Sequence, residues 1–130
     1  MLAESILQAI GKTVQLPPKL MPAGTAVGGS TPAFFTIICD AMIDAAVNTG
    51  MPRDTAQTMI YQAMQGTASL LQSGIHPGQL KDMGTSPEGC TIAGVMVMEE
   101  AAVRGQVGRA LREAVTVARQ MGNAEPSNRA

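Results

Sequence analysis

A segment of small and hydroxyl-bearing residues, Thr85 to Gly94, runs directly into an apolar stretch that is expected to form a helix. The first turn of a helix leaves backbone N–H groups without intrahelical partners, and the helix dipole adds about half a positive charge there. Gly89 would let a ligand approach the backbone closely, and the hydroxyls of Ser86 and Thr91 could donate to a bound oxygen. The segment therefore predicts a cradle for a carboxylate or phosphate. A helix that is simply capped by small polar residues is the ordinary alternative.

The other side chains that could do chemistry give weaker signals. Cys39 and Cys90 lie far apart and, with His76 as the one histidine, lack the spacing of a zinc site or a disulfide framework, so we expect two reduced thiols. Cys90 lies at the expected helix start, but the sequence offers no second histidine or oriented base for a catalytic cysteine. Asp40 and Asp44 share one helix face, for which a solvated edge is the ordinary interpretation. No metal site is predicted.

Composition restricts the class of protein. The 130 residues suffice for one domain with its own core, and the formal net charge is −1. The nine Lys and Arg residues form no basic block, which argues against nucleic-acid binding. The longest apolar region, 33–47, contains two Asp residues, and the first residues lack a basic secretory segment. We therefore expect no membrane segment and a cytoplasmic location.

The periodicity of apolar residues predicts an all-α protein. We expect a linker helix and an extended connector over 1–16, one helical domain over 17–122 and a disordered tail over 123–130. Within the domain, Pro, Gly and hydroxyl signals predict helices over about 31–49, 52–74, 76–82, 92–103 and 106–121, the last preceded by an interruption at Gly105. With ten methionines and few aromatic residues, the core of one copy would be small, so we expect an obligate oligomer.

Several motifs resemble those of a known enzyme family. The run HPGQLKD at 76–82, followed by TSPEGCTIAG at 85–94 and by two glutamates at 99–100, resembles the signature of pyrroline-5-carboxylate reductase. The segments 9–14, 29–34 and 50–53 resemble that family's interdomain link, its SGSGPAY-type element and its GLPR-type turn. The resemblance covers about residues 3–121 in the family's order and spacing.

The resemblance implies the reduction of 1-pyrroline-5-carboxylate to L-proline with NADPH or NADH, the last step of proline biosynthesis. In that family an N-terminal Rossmann domain binds the cofactor, and a C-terminal helical bundle forms an interlocked homodimer, for which higher oligomers of dimers stay open. This chain resembles the helical part alone. The resemblance therefore implies no cofactor-binding residue here and no turnover by this chain alone.

The resemblance also implies roles for individual residues of the cradle. Ser86 and the backbone amides around Gly89, Cys90 and Thr91 would bind the substrate carboxylate, and the catalytic Thr91 hydroxyl would meet the ring nitrogen. Glu88 stands where the family usually has Gly. Two alternatives stay open: a stand-alone helical oligomerisation module without catalysis, and a small-anion binding protein that uses the same cradle.

Overall fold

The structure is a computed structural model that describes residues 2–123, and it contains no β-strand in that range. The prediction of an all-α fold is confirmed. The elements in chain order are α1 (Leu2–Gln8), a short 3-10 turn (Pro18–Leu20), α2 (Met21–Gly29), α3 (Thr31–Asn48), α4 (Arg53–Gln72), α5 (Pro77–Met83), α6 (Cys90–Glu100) and α7 (Val103–Asn123). The predicted tail lies outside the described residues except for Asn123, which ends α7. The division into a linker and one helical domain stays a prediction.

The chain divides into two compact units, and the first comprises the described residues 2–30 and 111–123. Its non-helical connector is held to α1 by a hydrogen bond from Gln15 Nε2 to Glu4 Oε2 at 3.3 Å. The connector also contacts α2, because a Cβ atom on Gly24 would lie 2.5 Å from the Leu16 side chain. The sequence assigns no helix to 21–29, since its glycines are poor helix formers, but the structure shows that these residues are helical.

The second unit, residues 31–110, contains the predicted cradle. Helix α3 packs against α4, and Cys39, Ile43 and Ala56 are buried there. The small Ala56 side chain lets the two helices approach closely. Gly50, with φ of 99°, makes the left-handed turn that ends α3, and the long helices predicted on both sides of it are confirmed.

The break between the last two helices lies at 101–102, so the interruption predicted at Gly105 is wrong. Ala102 adopts a left-handed φ of 53°, and its N–H donates to the carbonyl of Glu99 at 2.9 Å. The Arg104 guanidinium donates to the Glu99 carboxylate across the same turn at 2.6 Å. Gly105 lies inside α7, where a helix accepts glycine at a modest cost in stability.

One stretch, Pro18–Asn48, is long and apolar enough to cross a membrane when only its length and composition are considered, and an 18-residue window within it has a mean hydropathy of 1.4. This differs from the sequence expectation, because the small residues of α2 extend the apolar run beyond 33–47. The core helix of a soluble protein passes the same test, so the finding is weak evidence for a membrane span. The lack of a membrane segment stays a prediction.

A single copy of the chain buries little of its apolar surface. Among the described residues, Ala26, Cys39, Ile43 and Ala56 are the buried ones. Large side chains such as Ile37, Val97 and Met83 are each more than three-fifths exposed. Such exposure is expected for a subunit that completes its core in an oligomer.

Candidate functional site

Helix α5 holds the start of the cradle in place. His76 caps this helix, with its Nδ1 accepting from the N–H of Gly78 at 3.1 Å, and Pro77 occupies the first turn. At the other end, Thr85 returns to the helix: both its N–H and its hydroxyl donate to the carbonyl of Asp82, at 3.2 and 3.0 Å. His76 and Thr85 thus hold the two ends of α5, and the cradle begins from a fixed point.

The cradle itself is a tight turn over residues 86–89. The N–H of Gly89 donates to the carbonyl of Ser86 at 3.1 Å, which closes the turn. Pro87 occupies the second position, where its fixed φ is favoured, and Glu88 occupies the third with a φ of 58°. A positive φ at the third position is typical of a type II turn and favours glycine. Glu88 therefore holds a backbone conformation that glycine adopts more easily.

Gly89 is required by its distance from Ser86. A Cβ atom at this position would lie 2.5 Å from Ser86 Oγ and 3.1 Å from the Ser86 carbonyl oxygen. The side chain of Ser86 thus occupies the space that a larger residue at 89 would need. Sequence analysis predicts that Gly89 admits a ligand, and the structure adds a second reason for glycine at this position.

The N-terminus of α6 carries no side-chain cap. Gly89 is the capping residue, with φ of −74° and ψ of 159°, and no side chain accepts from the first N–H groups of the helix. The hydroxyls of Ser86 and Thr91 make no hydrogen bond to other described residues, and both residues are exposed. The amides and hydroxyls that face the helix start are therefore available to an external acceptor. The lack of a side-chain cap argues against the alternative that these small polar residues serve only to cap α6.

The structure thus brings together every residue that the sequence assigned to the cradle. Ser86, Gly89, Cys90 and Thr91 lie within one turn and the first residues of the helix that follows it. Cys90 is a free, exposed thiol, and Cys39 is free and buried. Asp44, assigned to a solvated edge, is exposed and paired with Arg53 at 2.7 Å, which is an ordinary surface ion pair.

Charged groups lie at the opposite end of α6. The hydrogen bond and the charge of Arg104 hold the pKa of Glu99 below its usual value, and Lys81 on α5 adds to this effect. Glu99 in turn raises the pKa of Arg104. A cavity of about 290 Å³ lies between these groups, with Val95, Met98 and Val103 in its wall. This cluster joins α5, α6 and α7 and was not found from the sequence, because Lys81 and Glu99 are far apart in the chain.

The described residues offer no site of the kind that binds a dinucleotide or a metal ion. A Rossmann-type site needs a strand followed by a glycine-rich turn and a helix, and residues 2–123 contain no strand. In the same range, no group of three His, Cys, Asp or Glu side chains could hold a metal ion. We therefore assign no cofactor or metal ligand to these residues.

Comparison with known proteins identifies the family. A family model described as pyrroline-5-carboxylate reductase dimerisation matches residues 18–121. The chain belongs to this family. A curated pyrroline-5-carboxylate reductase of Lophium arboricola is 56% identical over 117 residues, which make up 90% of this chain and 37% of the relative. The enzyme of Methanosarcina acetivorans is 43% identical over 121 residues, 92% of this chain and 45% of the relative.

Solved structures of pyrroline-5-carboxylate reductases share the fold. The Plasmodium falciparum enzyme, crystallised with NADP bound, superposes with a TM-score of 0.88 at 27% identity, over 94% of this chain and 50% of that protein. The Coxiella burnetii enzyme gives a TM-score of 0.85 at 31% identity, over 92% of this chain and 45% of its own length. The chain thus spans about half or less of the relatives that it matches. Membership in a dimerisation family supports homo-oligomerisation.

Proposed function

We propose that this chain is the dimerisation and substrate-binding part of a pyrroline-5-carboxylate reductase. The observation that carries the proposal is the uncapped start of α6, where Gly89 takes the capping position and two free hydroxyls lie beside it. The substrate, 1-pyrroline-5-carboxylate, and the product, L-proline, both present a carboxylate on a five-membered ring. Ser86 and the amides around Gly89, Cys90 and Thr91 would bind that carboxylate, as the helix dipole favours.

Thr91 has a second role in this proposal. When the carboxylate is fixed on the helix start, the ring is oriented, and the Thr91 hydroxyl can donate to the ring nitrogen. Orientation of the reacting C=N bond is the main contribution of these residues, since fixed geometry removes much of the entropic barrier. The hydrogen bond to nitrogen adds a smaller electrostatic contribution. When bound, NADPH or NADH supplies the hydride.

The cofactor would be held by residues other than those described, in the part of the relatives that this chain does not match. On this proposal, residues 2–123 without such a Rossmann domain bind product but do not turn over. We further propose that the protein works in the cytoplasm as a homodimer or as an oligomer of dimers, without a membrane or nucleic-acid partner.

The test is calorimetric titration of the full chain with L-proline. Thr91→Ala and Ser86→Ala each remove a hydrogen bond to a charged or polar ligand, so each should weaken binding on the order of tenfold to a hundredfold. Ser69→Ala is the matched control, because its hydroxyl bonds only to the Gln65 carbonyl within α4. Equal affinity in wild type and both cradle variants would refute the cradle. A folded oligomer with no proline affinity would favour the alternative of an oligomerisation module without catalysis.

A further inference from the structure

The cradle lies within a chain segment whose two ends carry opposite charges. Lys81 lies near the end of α5 and Glu99 near the end of α6, and all the cradle residues come between them in the chain. Both side chains line one cavity of about 290 Å³. The pKa of Glu99 is lowered first by Arg104 and further by the charge of Lys81. Residues 81–99, which we call the cradle segment, are therefore closed into a loop by an attraction between their ends.

The Glu99 end of this closure is held by Arg104. The Arg104 guanidinium donates to Glu99 Oε1 at 2.6 Å across the joint between α6 and α7, so the carboxylate has a defined direction. The side chains of Glu99 and Lys81 are 42% and 40% exposed, so water reaches both charges. An attraction between such groups is modest, and it can orient a segment without making a large contribution to the stability of the whole chain.

The Lys81 end is connected directly to the start of the cradle. The Lys81 ammonium also donates to the carboxylate of Asp82. The carbonyl of Asp82 accepts from the N–H and the hydroxyl of Thr85, at 3.2 and 3.0 Å. The next residue, Ser86, begins the turn that the Gly89 N–H closes. A displacement of Lys81 is therefore passed through Asp82 and Thr85 to the residues that would bind the carboxylate.

Helix packing alone does little to fix α6 relative to α5. Within residues 31–110, the helix pairs that pack closely are α3 with α4 and α4 with α5. Helix α6 has no buried residue, although α5 and α6 flank the cradle directly. Side-chain attraction between the ends of the cradle segment therefore contributes more to its geometry than it would between two packed helices.

We propose that Lys81 is a positioning residue of the carboxylate site: paired with Glu99, it closes the cradle segment and holds the turn 86–89 and the start of α6 in one geometry. This inference rests on the proposed function and extends it, since Lys81 acts through Asp82 and Thr85 and not by contact with the ligand. A segment that is already ordered loses less conformational freedom when the ligand binds, which raises affinity. For a pair this exposed, the gain should be about two- to fivefold.

Amide hydrogen exchange and calorimetry on the full chain test this role. The wild type is compared with Lys81→Gln, Glu99→Gln and the double variant. Without ligand, the N–H groups of Thr85 and Gly89 should exchange about two- to fivefold faster in each single variant, while exchange in α3 stays at the wild-type rate. With L-proline, each single variant should bind about two- to fivefold more weakly.

The pattern among the variants distinguishes positioning from general destabilisation. Because both substitutions break the same pair, the double variant should match Glu99→Gln and not show the product of two separate losses. Lys81→Arg keeps the charge and should retain the wild-type exchange and affinity. Arg53→Gln is the matched control, since it breaks an exposed ion pair with Asp44, at 2.7 Å, that joins α3 to α4 outside the cradle segment. It should change neither readout.

Several results would overturn the inference. Lys81→Gln could leave exchange and affinity unchanged, the losses could multiply in the double variant, or Lys81→Arg could lose as much affinity as Lys81→Gln. Exchange that rises equally in α3 would show that the variants destabilise the whole chain, which also overturns a positioning role.

Failure of the proposed function gives a different result. A folded wild-type chain that does not bind proline would contradict the carboxylate site itself. In that case the exchange rates of Thr85 and Gly89 would still show whether the pair of Lys81 and Glu99 closes the cradle segment, because they are measured without ligand.

Discussion

Replacing Glu88 by glycine should stabilise the chain, because Glu88 lies in the left-handed region with φ of 58°. A residue with a Cβ atom costs roughly 1–2 kcal/mol in that conformation. Glycine removes this cost but gives the unfolded chain extra freedom worth about 0.4–1 kcal/mol. The net gain expected from Glu88→Gly is therefore about 0.5–1 kcal/mol. With an unfolding entropy of about 2.1 cal/mol/K per residue over 130 residues, Tm should rise by about 2–4 °C.

The same substitution should strengthen carboxylate binding. Glu88 is exposed and adjoins the start of α6, so its charge opposes the bound anion through a well-screened interaction. Exposed charge pairs are worth about 0.2–1 kcal/mol, which converts to an increase in L-proline affinity of up to roughly fivefold. The gain should shrink as salt is added, because counterions screen the interaction.

Two controls separate the backbone effect from the charge effect. Glu88→Gln removes the charge but keeps the strained backbone, so it should strengthen proline binding without raising Tm. Ala102→Gly relieves a second left-handed residue, with φ of 53°, at the α6–α7 joint, so it should raise Tm without changing affinity. A fall in Tm for Glu88→Gly would refute the reasoning about the turn. An unchanged affinity for Glu88→Gln at low salt would show that this side chain does not act on the anion.

Gly89→Ala tests the cradle, and Arg104→Gln tests the ion pair at the joint between α6 and α7. Gly89→Ala would push a methyl group to 2.5 Å from Ser86 Oγ, so calorimetry should show a loss of proline affinity of about tenfold or more. Gly66→Ala, where a Cβ meets nothing within 4 Å, should leave affinity unchanged; equal affinity in both would contradict the close-contact argument. Arg104→Gln should raise the pKa of Glu99 toward its usual value of 4.5, measured by NMR titration of the carboxyl carbon. Because folding lowers the pKa of Glu99, the ion pair stabilises the folded chain above pH 4.5, and this contribution is lost as the pH falls through the lowered pKa. Identical titration of Glu99 in the wild type and in Arg104→Gln would contradict the ion pair.

Local signals were sufficient to predict most helices and the turn that leads into α6, while the cradle's role in binding stays a prediction. Pro32 in the first turn and Gly50 at the end predict α3, and the structure places that helix at Thr31–Asn48. The cradle could be predicted because its turn and its helix are contiguous in sequence. The Ser-Pro-Glu-Gly run also contained a signal for the strained turn, since Pro at the second position favours turns that force the third residue to positive φ.

Other features depend on tertiary contacts that no local pattern encodes. The break at Ala102 occurs at a residue with good helix propensity, while Gly105 continues the next helix, so propensity pointed to the wrong position. The ion pair of Glu99 with Arg104 crosses that break and holds the two helices at the joint. The glycine-rich helix α2 is another case, because Gly24 lets the Leu16 side chain of the connector lie directly against the helix.

The sequence predicts that helix α6 is buried, but it does not predict which surface buries it. The composition of α6 is that of a core helix, yet none of its residues is buried within its own copy. Hydrophobic burial has no direction, so the same pattern would suit a cover from the same chain or from a second one. In the structure, α3 and α4 pack together and an apolar cavity of about 500 Å³ between Phe35, Met42 and Leu71 stays open.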